Sequence, residues 1–172
     1  YQEIAKEGLG FRAFGPVLDG IVIPHQTWTP DAPMQAAHIP MIIGTTLHEA
    51  AYFCSDGLKR PIPGDDALAA EIGRCTHFAD FAEEKYRQLV SVYRRKMPNL
   101  SNGELLVRIG TDVGMWRNAI LQATRKIEAG GPPVFVYEFA WKTPSFGGLW
   151  ALHGIDLPFV FGHPDYSKAW DD

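Results

Sequence analysis

Two short apolar runs flank a long stretch of helical periodicity. The first, Pro40-Met41-Ile42-Ile43-Gly44-Thr45-Thr46, is closed by glycine and threonine. It has the form of a strand buried on both faces of a parallel sheet. Leu47 to Phe53 then leaves that strand's C-terminal end. Residues 57–65, with Gly57, Pro61, Pro63 and Gly64, read as a loop. Residues 66–97 predict helix, because Phe78, Phe81, Ala82, Tyr86, Leu89 and Tyr93 fall mostly at three- and four-residue steps. Pro98 ends that pattern. Ser101 and Glu104 form a capping box, in which each side chain satisfies an orphan backbone N–H of the next helix. That helix is expected to run to about Ala129, where Gly130-Gly131-Pro132-Pro133 stops it. Gly110 and Gly114 allow a break between Ser101–Arg108 and Asp112–Glu128. The second apolar run, Val134–Phe139, is β-branched and aromatic, as a strand requires. A loop follows over Thr143–Leu152. Residues 1–40 are rich in proline and glycine and predict irregular backbone.

The order strand, helices, strand gives an α/β class. Two strands do not make a doubly wound sheet, so a partner segment outside the chain is expected to complete it. Without that segment the strands would present unpaired edges and apolar faces. The chain is therefore not expected to be a self-sufficient folding unit.

Composition narrows the class without naming the chemistry. The chain has 172 residues, 46% apolar and 21% charged, which excludes disorder. A net charge of −4 leaves no basic footprint for nucleic acid. The run Tyr93-Arg94-Arg95-Lys96 reads as a solvated helix face. No apolar run approaches the roughly 18 residues of a membrane span. Tyr1-Gln2-Glu3 shows no signal peptide and no initiator methionine, so the true start is expected elsewhere. Cys54 and Cys75 either pair or remain buried thiols. The histidines at 25, 38, 48, 77, 153 and 163 form no metal-binding pattern, and no metal is expected.

Active sites of open α/β sheets gather outside the carboxyl ends of the strands. Glu49 follows the first strand, and His153, flanked by Gly154, follows the second. Acid before histidine is the chain order of a hydrolase triad whose serine precedes both. His48 reads as structural or exposed.

At these residues the chain resembles the type-B carboxylesterases, which include the cholinesterases and the bacterial para-nitrobenzyl-type esterases. Four segments carry the resemblance. Phe14-Gly15-Pro16-Val17-Leu18-Asp19-Gly20, with Ile23-Pro24 after it, matches F-x-P-x-x-D-G-x-x-x-P. Pro40 to Glu49 matches P-x-x-x-G-x-x-x-x-E, which ends on the triad acid. Val136-Tyr137-Glu138-Phe139 matches the V-Y-x-Y/F strand. His153-Gly154-Ile155-Asp156-Leu157-Pro158-Phe159-Val160-Phe161-Gly162 matches H-G-x-[DE]-L-P-F-V-F-G, which begins with the triad histidine. Together the segments span Phe14 to Gly162, with acid and histidine 104 positions apart. Two departures stand out. Ala50 replaces the glycine usual after the acid. None of Ser55, Ser91, Ser101, Ser145 and Ser167 sits in a G-x-S-x-G elbow, and the oxyanion-hole glycine run is absent.

The resemblance implies that residues 1–172 are the C-terminal portion of a single α/β-hydrolase domain, with a helical segment at about 66–129. The sheet would be central and mostly parallel, with helices on its faces, and incomplete without the N-terminal part of the same enzyme. It implies a serine-type carboxylic ester hydrolase with Glu49 and His153 catalytic, no cofactor and a small-molecule ester substrate. Asp156 is either an acceptor behind the site or a solvated loop acid, and Trp150 and Phe146 are candidate pocket walls. The alternative is a non-catalytic cholinesterase-like binding or adhesion module.

Overall fold

The computed structural model describes residues 15–76, 81–148 and 150–165, apart from the Phe146 side chain. Strand β1 (Met41–Thr46) lies parallel to β2 (Val134–Phe139), with Met41 opposite Val134 and Thr46 opposite Phe139. Both strands coincide with the predicted runs. Parallel neighbours need a long crossover, and here it holds six helices: α1 (Ala50–Phe53), α2 (Ser55–Leu58), α3 (Gly64–Cys75), α4 (Glu83–Lys96), α5 (Asn102–Thr111) and α6 (Arg117–Glu128). A short helix α7 (Leu157–Val160) follows the second strand.

The expectation that both strands are buried on both faces is not met. Ile42 is 73% exposed, Phe135 59% and Val136 43%. The described sheet has only two strands, so their apolar side chains are left without cover on much of both faces. Helix α6 is the main element packed against the pair. The core lies elsewhere, between α3, α4 and α5. Leu68, Ile72, Val90, Leu105, Leu106 and Ile109 are all buried there.

The segment expected as one helix over 66–97 is two. Helix α3 ends where Thr76 leaves helical geometry, its backbone N–H and its hydroxyl both donating to the Ile72 carbonyl, at 2.9 Å and 2.6 Å. Helix α4 opens from an extended Ala82. Phe78 lies outside the described residues. The loop expected at 57–65 narrows at both ends, since α2 runs to Leu58 and α3 begins at Gly64.

No break separates α5 from α6. A π-turn over Asp112–Trp116 joins them instead. Asp112 at its start is held from two sides. The Tyr93 hydroxyl donates to its carboxylate at 2.6 Å, and Arg108 Nε does so at 3.0 Å. Cys54 and Cys75 are bonded, with Cα atoms 5.2 Å apart, and both are fully buried. The disulfide ties the α1–α2 junction to the end of α3.

The capping box forms as expected. Ser101 Oγ accepts from the Glu104 N–H at 3.2 Å, and a Glu104 carboxylate oxygen accepts from the Ser101 N–H at 2.8 Å. Ser101→Ala is expected to cost about 1 kcal/mol, seen as a lower urea midpoint at unchanged m-value. An unchanged midpoint would show that water caps α5 equally well.

Among the described residues, no helix is long and apolar enough to cross a membrane. Nor, among those described residues, does any group of three or more potential ligands stand ready for a metal.

Candidate active site

Where β1 ends, the chain turns sharply into α1 and buries Glu49, which is 6% exposed. A buried carboxylate needs hydrogen-bond donors, and both of its oxygens have one. Oε1 accepts from the Thr46 backbone N–H at 2.7 Å. Oε2 accepts from His153 Nδ1 at 2.6 Å. The Ala50 N–H, which starts α1, donates to Thr111 Oγ1 at 3.1 Å. The methyl group of Ala50 has room only because residue 110 is glycine: a Cβ there would lie 2.8 Å from it. The departure at Ala50 therefore leaves the acid in place.

His153 arrives from the other side. The backbone ladder changes partner at the end of β1. Leu47 N–H donates to the Phe139 carbonyl at 2.9 Å, and His48 N–H donates to the Ala151 carbonyl at 3.0 Å. Residues 151 and 152 thus continue the sheet beside β1, and His153 projects from just past them. Its side chain is 42% exposed. Phe53 and Tyr52 stand beside the ring, with centroids 4.9 Å and 6.0 Å away. Because Nδ1 faces a carboxylate, Nδ1 carries the proton in the neutral ring, and Nε2 keeps its lone pair.

The ring opens on a cavity of about 490 Å³, lined also by Thr45 of β1, Met115 of the π-turn, and Asn118 and Gln122 of α6. Asp156 lines the same cavity but does not bond to His153. It accepts from the Tyr137 hydroxyl at 2.9 Å. The Tyr137 ring in turn lies across Gly44, where a Cβ would sit 2.4 Å from it. Trp150 does not line the cavity. It packs on Ala51, Val107 and Leu152, edge-on to His48. Phe146 belongs to the one-turn helix Ser145–Gly148, and its side chain is outside the described set. No serine lines the cavity among the described residues.

The hydrogen bond that His153 donates to Glu49 holds the His153 pKa above its ordinary value, against the opposing effect of burial. The protonated ring therefore contributes stability in full below the ordinary histidine range, and this is lost as pH rises through the raised folded value. Glu49→Gln is expected to bring the His153 titration midpoint down. A ¹H–¹⁵N NMR titration of the ring checks this. An unmoved midpoint would mean that the carboxylate does not act on the ring.

Several participants escaped the sequence reading. Thr111 is distant in sequence from the acid it supports, and no local pattern announces it. The polar wall was findable: Asn118 and Gln122 stand four residues apart on a helix whose face toward the sheet should be apolar.

A model of the family described as "Carboxylesterase family" matches residues 2–171. Para-nitrobenzyl esterase of Bacillus subtilis (strain 168) is 28% identical over 162 residues, covering 93% of this chain and 30% of that protein. Neuroligin-2 of Homo sapiens is 29% identical over 172 residues, covering 88% of this chain and 19% of neuroligin-2. Neuroligin-2 of Rattus norvegicus matches to the same extent. The chain thus spans less than a third of the length of these relatives.

Proposed function

The chain belongs to the carboxylesterase family, and on that premise we propose that it is the acid- and histidine-bearing part of a serine esterase. The fold is then the C-terminal portion of an α/β-hydrolase domain, and the serine and oxyanion hole come from a segment outside residues 1–172.

The observation that carries the reading is the Glu49–His153 contact at 2.6 Å, beside a cavity onto which the ring opens. In the proposed mechanism His153 Nε2 takes the serine proton as the hydroxyl attacks an ester carbonyl. It then returns that proton to the leaving alcohol. Water then attacks the acyl-serine ester and gives a proton to the same nitrogen, which passes it to the departing serine oxygen as the acid leaves. Glu49 stays ionised, fixes the tautomer through Nδ1 and stabilises the imidazolium. Thr46 and Thr111 hold the acid's turn still while this happens. No cofactor takes part. Carboxylic esters are the substrate class.

The similarity to neuroligin-2 favours a second reading, a non-catalytic binding module. A binding module has no need of a buried carboxylate whose two oxygens are spent on one backbone amide and one accessible histidine. Activity separates the readings. The chain alone is expected to leave a p-nitrophenyl ester at the background rate. Joined to a segment bearing G-x-S-x-G, it is expected to hydrolyse the ester and to be labelled by a fluorophosphonate serine probe. Turnover by the chain alone at roughly 1–1000 per second would sink the assignment of an external serine. A joined protein that neither labels nor turns over would leave the binding reading standing.

A further inference from the structure

The residue before the acid makes a contact that the proposed reaction does not itself require. Ala151 is fully buried, so its backbone N–H must find an acceptor inside the protein. It donates to the Nδ1 atom of His48 at 3.0 Å. The same two residues are joined a second time, by the bond from His48 N–H to the Ala151 carbonyl. Residue 48 thus holds residue 151 through both backbone groups. Its neighbour Glu49 holds His153, two positions further on.

Resting on the reading of Glu49 and His153 as a catalytic pair, we infer that His48 is a positioning residue. Its Nδ1 atom, kept as an acceptor, sets where the loop delivers His153 to Glu49. The role needs a neutral imidazole with the proton on Nε2, because a protonated Nδ1 cannot accept the Ala151 N–H. The surroundings enforce that state. Burial depresses the His48 pKa to about 4, and the positive charges of Lys142 and Arg108 push it the same way. The Trp150 ring stands edge-on to His48, with centroids 5.2 Å apart. A carboxylate at 48 would also accept from Ala151, but it would place a second negative charge beside Glu49. Neutral histidine supplies the acceptor without that charge.

The test is ¹⁵N-histidine NMR on the 172-residue chain. In the unsubstituted chain at pH 7, His48 is expected as the Nε2–H tautomer with an unprotonated, hydrogen-bonded Nδ1. An Nδ1–H tautomer or an imidazolium at that pH overturns the inference without any variant. Three substitutions then read the consequence at His153. His48→Asn puts an amide oxygen about where Nδ1 stood and is expected to keep the raised His153 midpoint. His48→Ala and His48→Gln lose the acceptor at that place and are expected to lower it, at an unchanged circular dichroism spectrum. Equal midpoints in all three would show that residue 48 only fills space. Should His48→Ala fail to fold, the comparison of Asn with Gln and the tautomer measurement still decide. None of these signals depends on a serine. A failure of fluorophosphonate labelling would therefore sink the esterase reading while leaving this contact to be judged separately.

Discussion

In the proposed esterase, this chain joined to a segment bearing G-x-S-x-G, His153→Ala should lower kcat/KM for a p-nitrophenyl ester by on the order of 10⁴-fold or more. A serine hydroxyl is a poor nucleophile at neutral pH, and it gains its strength only by passing a proton to a base within hydrogen-bond reach. His153 is the one titratable ring facing the cavity among the described residues. Glu49→Gln should cost nearly as much. The amide can present N–H to a ring nitrogen that also carries hydrogen, which favours the wrong tautomer. The two losses should not add, because each disables the same proton transfer. A double variant about as slow as His153→Ala alone is the expected result. The pH profile gives an independent check. The base must be neutral to act, so kcat/KM rises as His153 loses its proton. The acid limb should lie above the ordinary histidine range, in the direction that Glu49 shifts the ring. A loss of less than about tenfold for His153→Ala would remove His153 from the mechanism, since general-base catalysis alone contributes about 10²–10⁴-fold.

The second large effect is on stability. The Cys54–Cys75 bond closes a loop with a sequence separation of 21 residues. Restricting the unfolded chain over a loop of that size contributes roughly 3 kcal/mol. Replacing both cysteines with alanine is expected to lower Tm by about 6–12 °C, measured by calorimetry with the disulfide-bonded chain as reference. Alanine is the better choice, because a hydroxyl at either fully buried position would need a partner of its own. The effect should reach the site as well. Cys54 follows the helix that Glu49 begins, and Gly110, whose position abuts Ala50, also lies close to the Cys54 sulfur. A Tm that does not move would mean that packing among α3, α4 and α5 holds the loop without the bond.

The site was more legible in the sequence than the packing was. Glu49 and His153 stand out because each follows a strand, Glu49 closing one motif and His153 opening another. Strand limits were legible for a related reason: Pro40 and Gly131-Pro132-Pro133 bracket runs with no competing helical period. What failed was burial. An apolar strand reads as covered on both sides, but the covering belongs to neighbours that sequence pattern does not name, and Ile42 and Phe135 stand exposed. Helix ends failed where neither proline nor glycine marks them, as at Thr76. The cysteine pairing stayed open because distance in space, not spacing along the chain, decides it. The π-turn left no mark beyond Gly114, since the five residues Asp112–Trp116 satisfy an α-helical pattern equally well.

That π-turn carries a consequence for how the cavity is specified. A π-turn amounts to one residue more than an α-helix needs to cover the same path. Every side chain of α6 is therefore out of phase with α5 by one helical step, about 100° of rotation and 1.5 Å of rise. Removing a single residue between Asp112 and Trp116 would restore the phase. Asn118 and Gln122 would swing off the cavity wall, and at the far end of the same helix the Lys126 ammonium would turn away from the Ala36 carbonyl to which it donates. No substitution at those positions would do as much. The wall facing His153 is thus set by a count of residues as well as by their identity, and a gain or loss of one residue in this stretch would re-cut the pocket in a single step.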